Sequence, residues 1–161
     1  MAERGEFTRK FDREILRDAS AEAEEREVAR RRVDAENAAL EAEFLKILTI
    51  LDYRARWLQD RFPACREKAS GEDGARGRRF EFTNPAGEVV GWIEFRTRLS
   101  DSQQAIVIES FMELKGAFPR RHDYVTFPKE HVHVDRTKRF VESKLFEFSG
   151  PYQSLQAAPG A

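Results

Sequence analysis

The amino-acid sequence predicts an α+β protein, a long N-terminal helical arm followed by an antiparallel β-sheet domain of about five or six strands. Three observations carry that expectation. Residues 6–61 contain no proline and only helix-tolerant types, with Gly5 before them and Pro63 just after, which reads as near-continuous helix. From residue 80 the apolar period changes to two, the spacing of a half-buried strand. Turn-forming clusters, Asn84-Pro85-Ala86-Gly87 and Ser100-Asp101-Ser102, punctuate the alternating segments. The chain therefore divides into an arm (1–62), a flexible linker (63–79), an antiparallel β domain (80–148) and a flexible tail (149–161).

Along the arm the apolar content changes. Phe7, Phe11 and Ile15 recur every four residues and share one face of an amphipathic helix. Residues 18–39 are mostly Ala, Glu and Arg, with Val28 and Val33 the only bulky apolar side chains. Glu22 with Arg26 and Glu27 with Arg31 fall at i, i+4, each pair worth roughly 0.2–0.5 kcal/mol on an exposed helix. This segment reads as a charged spacer. From Leu40 a stripe of Leu40, Phe44, Ile47, Leu51 and Leu58 appears, widened by Leu48 and Trp57, and it is expected to cover one face of the sheet. Val33, Leu40 and Ile47 are spaced by heptads, a short coiled-coil seam below the ~3–4 repeats that define one.

Residues 63–79, rich in Gly, Ser and mixed charge, read as the linker. Phe80 and Phe82 open the first strand and residues 89–98 form the second, with Gly91, Ile93, Phe95 and Thr97 on one face and Val90, Trp92, Glu94 and Arg96 on the other. Residues 104–115 form a third, long strand. A basic loop is expected over 116–121, a fourth strand over 124–127 and a fifth over 131–134. Residues 139–148 suit either a helix face or a strand, and their aromatic and β-branched content favours the strand. Trp92, Val107 and Phe111 fall on the mixed face of the sheet, as though it too were partly covered.

Composition narrows the chemistry. Among 161 residues, 28 basic and 29 acidic side chains leave a formal net charge of -1, so no global field drives the chain to a polyanion or an anionic membrane. Thirteen phenylalanines supply the main reserve of buried area. Cys65 is the single cysteine, which excludes an intrachain disulfide and a thiolate metal cluster. Neither a secretory apolar core at the N-terminus nor a run of ~20 apolar residues occurs, so a cytoplasmic location is expected. The sequence contains no nucleophile elbow, phosphate-binding glycine loop or His-Glu-x-x-His helix. Nothing nominates a catalytic pair, and no cofactor is expected.

Three constellations remain. The arm carries the expected function, protein–protein assembly as oligomer or adaptor, through Phe7, Phe11, Ile15, Val33, Leu40, Phe44, Ile47 and Leu51. The alternative is a nucleic-acid or nucleotide site in which Arg76, Arg78, Arg79, Arg120 and Arg121 contact phosphate beside aromatic rings. The third is a metal-dependent enzyme, with His131, His133 and Asp135 alternating along a strand so that all three side chains project together.

Overall fold

The computed structural model describes residues 2–70 and 76–157, of residues 2–4 the backbone alone. It contains helix α1 (Ala2–Arg61), strands β1 (Cys65–Lys68), β2 (Arg76–Thr83), β3 (Val89–Leu99), β4 (Ala105–Leu114) and β5 (Phe118–Pro128), and helix α2 (Val134–Ala157). The chain divides into two compact units, Met1–Leu40 and Glu41–Ala161. The first is helix, held along its surface by Glu27 with Arg30 (2.7 Å) and Arg31 (3.2 Å) and by Glu22 with Arg26 (3.5 Å). Both sequence-expected i, i+4 pairs are present.

In the second unit the strands form one antiparallel sheet in the order β1-β2-β3-β4-β5. Every strand pairs with its neighbour in sequence, and short turns connect β2 to β3, β3 to β4 and β4 to β5. Gly87 and Gly116 supply backbone with positive φ at two of these turns, a conformation open to glycine at no steric cost. Register sorts the side chains. Phe80 lies opposite Ile93, Ile93 opposite Met112 and Phe82 opposite Gly91, so these residues share one face with Phe95, Ile106, Ile108 and Leu114. That face is the core.

Two helical segments cover it. Phe44, Ile47, Leu51 and Leu58 of α1 are buried, as are Phe140, Val141, Leu145, Phe148 and Tyr152 of α2. Phe82 and Phe148 lie 4.7 Å apart between ring centroids, and Phe62, just past α1, meets Phe82 at 5.9 Å and Tyr152 at 5.2 Å. Fully burying an aromatic or branched aliphatic side chain contributes about 1.5–3 kcal/mol, so this seam is the main source of stability of the second unit. Among the described residues, no helix is long and apolar enough to cross a membrane.

Several expectations change. Residues 139–148 are helix, because Phe140, Val141, Leu145, Phe148 and Tyr152 repeat with the 3.6-residue period and bury one face. Helix α2 continues through Pro151 to Ala157 where a loose tail was expected. The segment expected as linker carries β1 and the first four residues of β2, while residues 71–75 lie outside the described residues. The expected basic loop over 116–121 is a turn followed by the start of β5. Residues 131–133 form no strand and lead directly into α2.

Candidate functional site

The arm stripe separates into two groups. Phe7, Phe11 and Ile15 are exposed, by 70%, 53% and 48%, and so is Val33, whereas Leu40 is half-buried. The Phe7 and Phe11 rings lie 6.1 Å apart and nearly parallel. Ile15 and Val33 are about five helical turns apart and so share an azimuth. Phe44, Ile47 and Leu51 were expected to face a partner as well; they instead lie in the core of the second unit. The physical reason is that the apolar sheet face needs a cover, and this segment supplies it.

The arginines also separate. Alternation along β2 directs Arg76 and Arg78 to the helix-covered face, where Arg76 pairs with Glu41 and lies over the Phe44 ring, and Arg78 bonds Asp52 at 2.7 Å. Arg121 bonds Glu147 of α2 at 3.1 Å and covers Phe118. These three fasten helices to the sheet. Arg79 and Arg120 reach the opposite face, where both lie over Trp92, at 4.2 and 6.0 Å from its ring centre. Because 118–128 is a strand, Arg120 and Arg121 point to opposite sides and do not form one patch.

That second sheet face has its own order. Glu94 is buried between Arg79 (3.2 Å) and Arg96, and Glu109 accepts from Arg98 through both carboxylate oxygens, at 3.3 and 3.4 Å. Trp92 Nε1 donates to Glu113 Oε2 at 3.0 Å. His122 stacks on Phe111 with ring centres 4.5 Å apart and planes within 6°. Among the described residues, the ring, ion-pair and hydrogen-bond partners of these side chains come from the sheet itself, except that Arg98 also pairs with Asp101 of the β3–β4 turn at 3.9 Å.

The metal reading loses its geometric premise. His133 is the residue before α2, and its Nδ1 accepts a hydrogen bond from the Arg136 backbone N–H at 3.2 Å, the N-cap role that Ser or Asp usually fills. Asp135 stands in the first helical turn, where a carboxylate complements the helix dipole. His131 remains in the connection from β5, and its N–H bonds the Pro128 carbonyl at 3.0 Å. Among the described residues no group of three His, Cys, Asp or Glu side chains is arranged to hold a metal ion. Cys65 is buried, and burial pushes its thiol up to about 11, against the opposing pull of Arg66; the reactive thiolate is scarce at neutral pH.

Glu43 escaped the sequence analysis. It precedes Ile47 by four residues, and a carboxylate on an apolar stripe is the signal that marks it. Its Oε2 accepts the buried Val132 N–H at 2.9 Å and its Oε1 the Lys46 ammonium at 2.8 Å, tying α1 to the connection between β5 and α2. Burial raises its pKa, but these two hydrogen bonds and the charges of Lys46 and His131 outweigh it, leaving the pKa below the ordinary glutamate value. A carboxyl depressed on folding contributes stability above its unfolded pKa and loses it as pH falls through the folded value. Glu43→Ala is expected to cost about 1–3 kcal/mol by orphaning the Val132 N–H. Glu43→Gln, which keeps an acceptor, should cost less and flatten the acid limb of stability. Urea unfolding between pH 7 and pH 3 measures both.

A cleft of about 300 Å³ between the β5 edge and α2 is lined by Ser110, Met112, Arg121, His122, Asp123, Lys144 and Glu147. Lys144 bonds Asp123 at 2.6 Å and Glu147 at 2.9 Å. Burial lowers the Lys144 pKa, yet the two carboxylates win and hold it raised, while the hydrogen bond from Lys144 holds Asp123 low. Its charges satisfy one another, and it reads as a fastening of α2. Set against known proteins, the chain matches no protein-family model, no curated sequence and no solved structure.

Proposed function

We propose that the chain is a non-catalytic assembly protein whose N-terminal helical segment joins it to a second copy of itself. The observation that carries this reading is the exposed run of Phe7, Phe11 and Ile15 on a helical unit that clusters apart from the sheet domain. Helices in proteins gain most of their stability from packing an amphipathic face, and exposed contiguous apolar side chains mark a surface that association can bury. A partner covering these three side chains supplies that burial. The charged stretch from Asp18 to Arg32 interrupts the apolar face, which favours a short seam at the N-terminal end over a continuous coiled coil.

The test is light scattering coupled to size-exclusion chromatography on the full chain and on a Phe7→Ser, Phe11→Ser, Ile15→Ser variant. Wild type is expected to run as an oligomer and the variant as a monomer, with the β-sheet signal in circular dichroism preserved. A wild-type chain that stays monomeric at high micromolar concentration would rule out self-association through this stripe.

A further inference from the structure

The helix-free face of the sheet carries more order than a solvated surface needs. Its rings and cations run diagonally from β2 to β5. Arg79 lies over Trp92, Arg120 over both Trp92 and Phe111, His122 is stacked on Phe111, and Tyr124 adjoins His122 at 6.0 Å between centroids. Phe111 is the buried floor, and Tyr124 is 58% exposed at the β5 end. Arg96 also covers Phe111 at 5.0 Å.

Charge on this face differs from charge in the chain as a whole. Register and alternation bring Arg66, Lys68, Arg79, Arg96, Arg98 and Arg120 to this side, against the carboxylates Glu81, Glu94, Glu109 and Glu113. Two of those carboxylates, Glu94 and Glu109, are buried beneath their arginines, so the outermost charge is cationic although the chain carries a formal net charge of -1. Arg120 differs from its neighbours. Among the described residues it has no carboxylate partner; its guanidinium carbon lies 6.0 Å from the Trp92 ring centre and 5.0 Å from that of Phe111.

We infer that this face binds single-stranded nucleic acid, with a base stacking on the exposed Tyr124 ring, neighbouring bases lying against the arginines that cover Trp92, and Arg120 donating to a phosphate. Flat aromatic and guanidinium surfaces flanked by cations match unstacked bases on a polyanionic strand, whereas a duplex keeps its bases stacked inside. A protein-docking core is depleted of charge, and this face places ion pairs at its centre. The inference concerns the sheet and is independent of how the N-terminal helix assembles.

The experiment uses the full chain carrying Trp57→Phe, which leaves Trp92 as the single tryptophan reporter of the two in the sequence. Titration with single-stranded thymidine and uridine 12-mers at low salt is expected to quench Trp92 saturably. Affinity should fall with salt at a log–log slope of about -0.7 for each phosphate neutralised, and Arg120→Ala should remove about one such unit. Tyr124→Leu should weaken binding about 5- to 150-fold, the range for losing one stacked base. Circular dichroism checks that both variants fold; each replaced side chain is exposed in the wild type. Absence of saturable quenching at 50 mM salt would overturn the inference, as would affinities unchanged in both variants. So would Trp92 emission that changes with protein concentration alone, because a second copy would then occupy the face.

Discussion

Phe148→Ala is expected to destabilise the sheet-containing unit by about 3–5 kcal/mol, the range for deleting a fully buried phenylalanine ring. Phe148 has no exposed surface and stands at the centre of the aromatic seam, with Phe82 at 4.7 Å, Tyr152 at 5.9 Å and Phe118 at 6.3 Å between ring centroids. Helices and strands on three sides are pinned by other contacts, so the space left by the ring cannot fully collapse, and the cavity adds to the lost transfer energy. A domain of this size is stable by only about 5–15 kcal/mol, so the variant should sit near the edge of folding. Urea unfolding followed by the sheet signal in circular dichroism measures the loss. A cost under about 1 kcal/mol would mean that α2 does not pack on this sheet face.

Gly91→Ala is expected to destabilise the same unit by a smaller amount, for the opposite reason. A Cβ built at Gly91 would stand 2.7 Å from Leu114 Cδ1, 3.0 Å from Phe148 Cζ and 3.2 Å from the Glu113 carbonyl oxygen. The position is crowded on both sides, by β4 and by α2. Overpacking of this kind costs about 1–3 kcal/mol, and Gly91→Val should exceed Gly91→Ala. Because Phe148 is one of the crowding groups, trimming it to leucine should relieve part of the strain. The double variant Gly91→Ala, Phe148→Leu is therefore expected to cost less than the sum of the two single changes, by about 0.5–3 kcal/mol of coupling. Strict additivity would show that Phe148 does not bear on Gly91.

Much of this architecture was legible in the residues because burial imposes period. The stripe from Phe44 to Leu58 and the alternation of β3 each report a buried face, while β4, apolar along most of its length, is buried on both faces, and all three appear where the residues placed them. Of the edge strands, β1 and the first half of β5 hid, while 124–127 was expected as strand and lies within β5, because edges are built to look unlike strands. β1 reads Cys-Arg-Glu-Lys, and β5 carries Pro119 with a run of charged residues; charge, brevity and proline are the features that blunt an edge against further pairing. Helix α2 hid behind its phenylalanines, whose β-propensity reflects half-buried packing that a helix face can satisfy equally well. The His133 cap carries little sequence signal, since histidine is outside the usual capping set.

The candidate site divides along the same line. Alternation alone placed Trp92, Glu94 and Arg96 on one side of β3, but their grouping with Phe111, His122 and Arg120 depends on register across three strands. Register is set by hairpin geometry, including an irregularity between Met112 and Leu114 that no spacing rule reports. The separation of Arg120 from Arg121 followed only once β5 was known to be a strand. Phe44, Ile47 and Leu51 show the converse limit: an apolar stripe declares that something must cover it and leaves open whether the cover is another chain or the same one.

The unbroken meander bears on how the chain reaches this state. Each strand pairs with its sequence neighbour, so the ladders from β2 to β5 close short hairpin loops at small entropic cost. Ties between distant parts of the sequence are of another kind: Glu43 to Val132 spans 89 positions, and Arg54 to Glu142 spans 88. Local contacts accrue early and cheaply along a folding route, while distant ones must wait until the intervening chain is ordered. The sheet can thus zip as a run of nearest-neighbour steps, with the C-terminal part of α1 seated last upon a surface already formed. In a chain emerging from synthesis, that helix is made before the sheet it covers and is among the last segments to find its place.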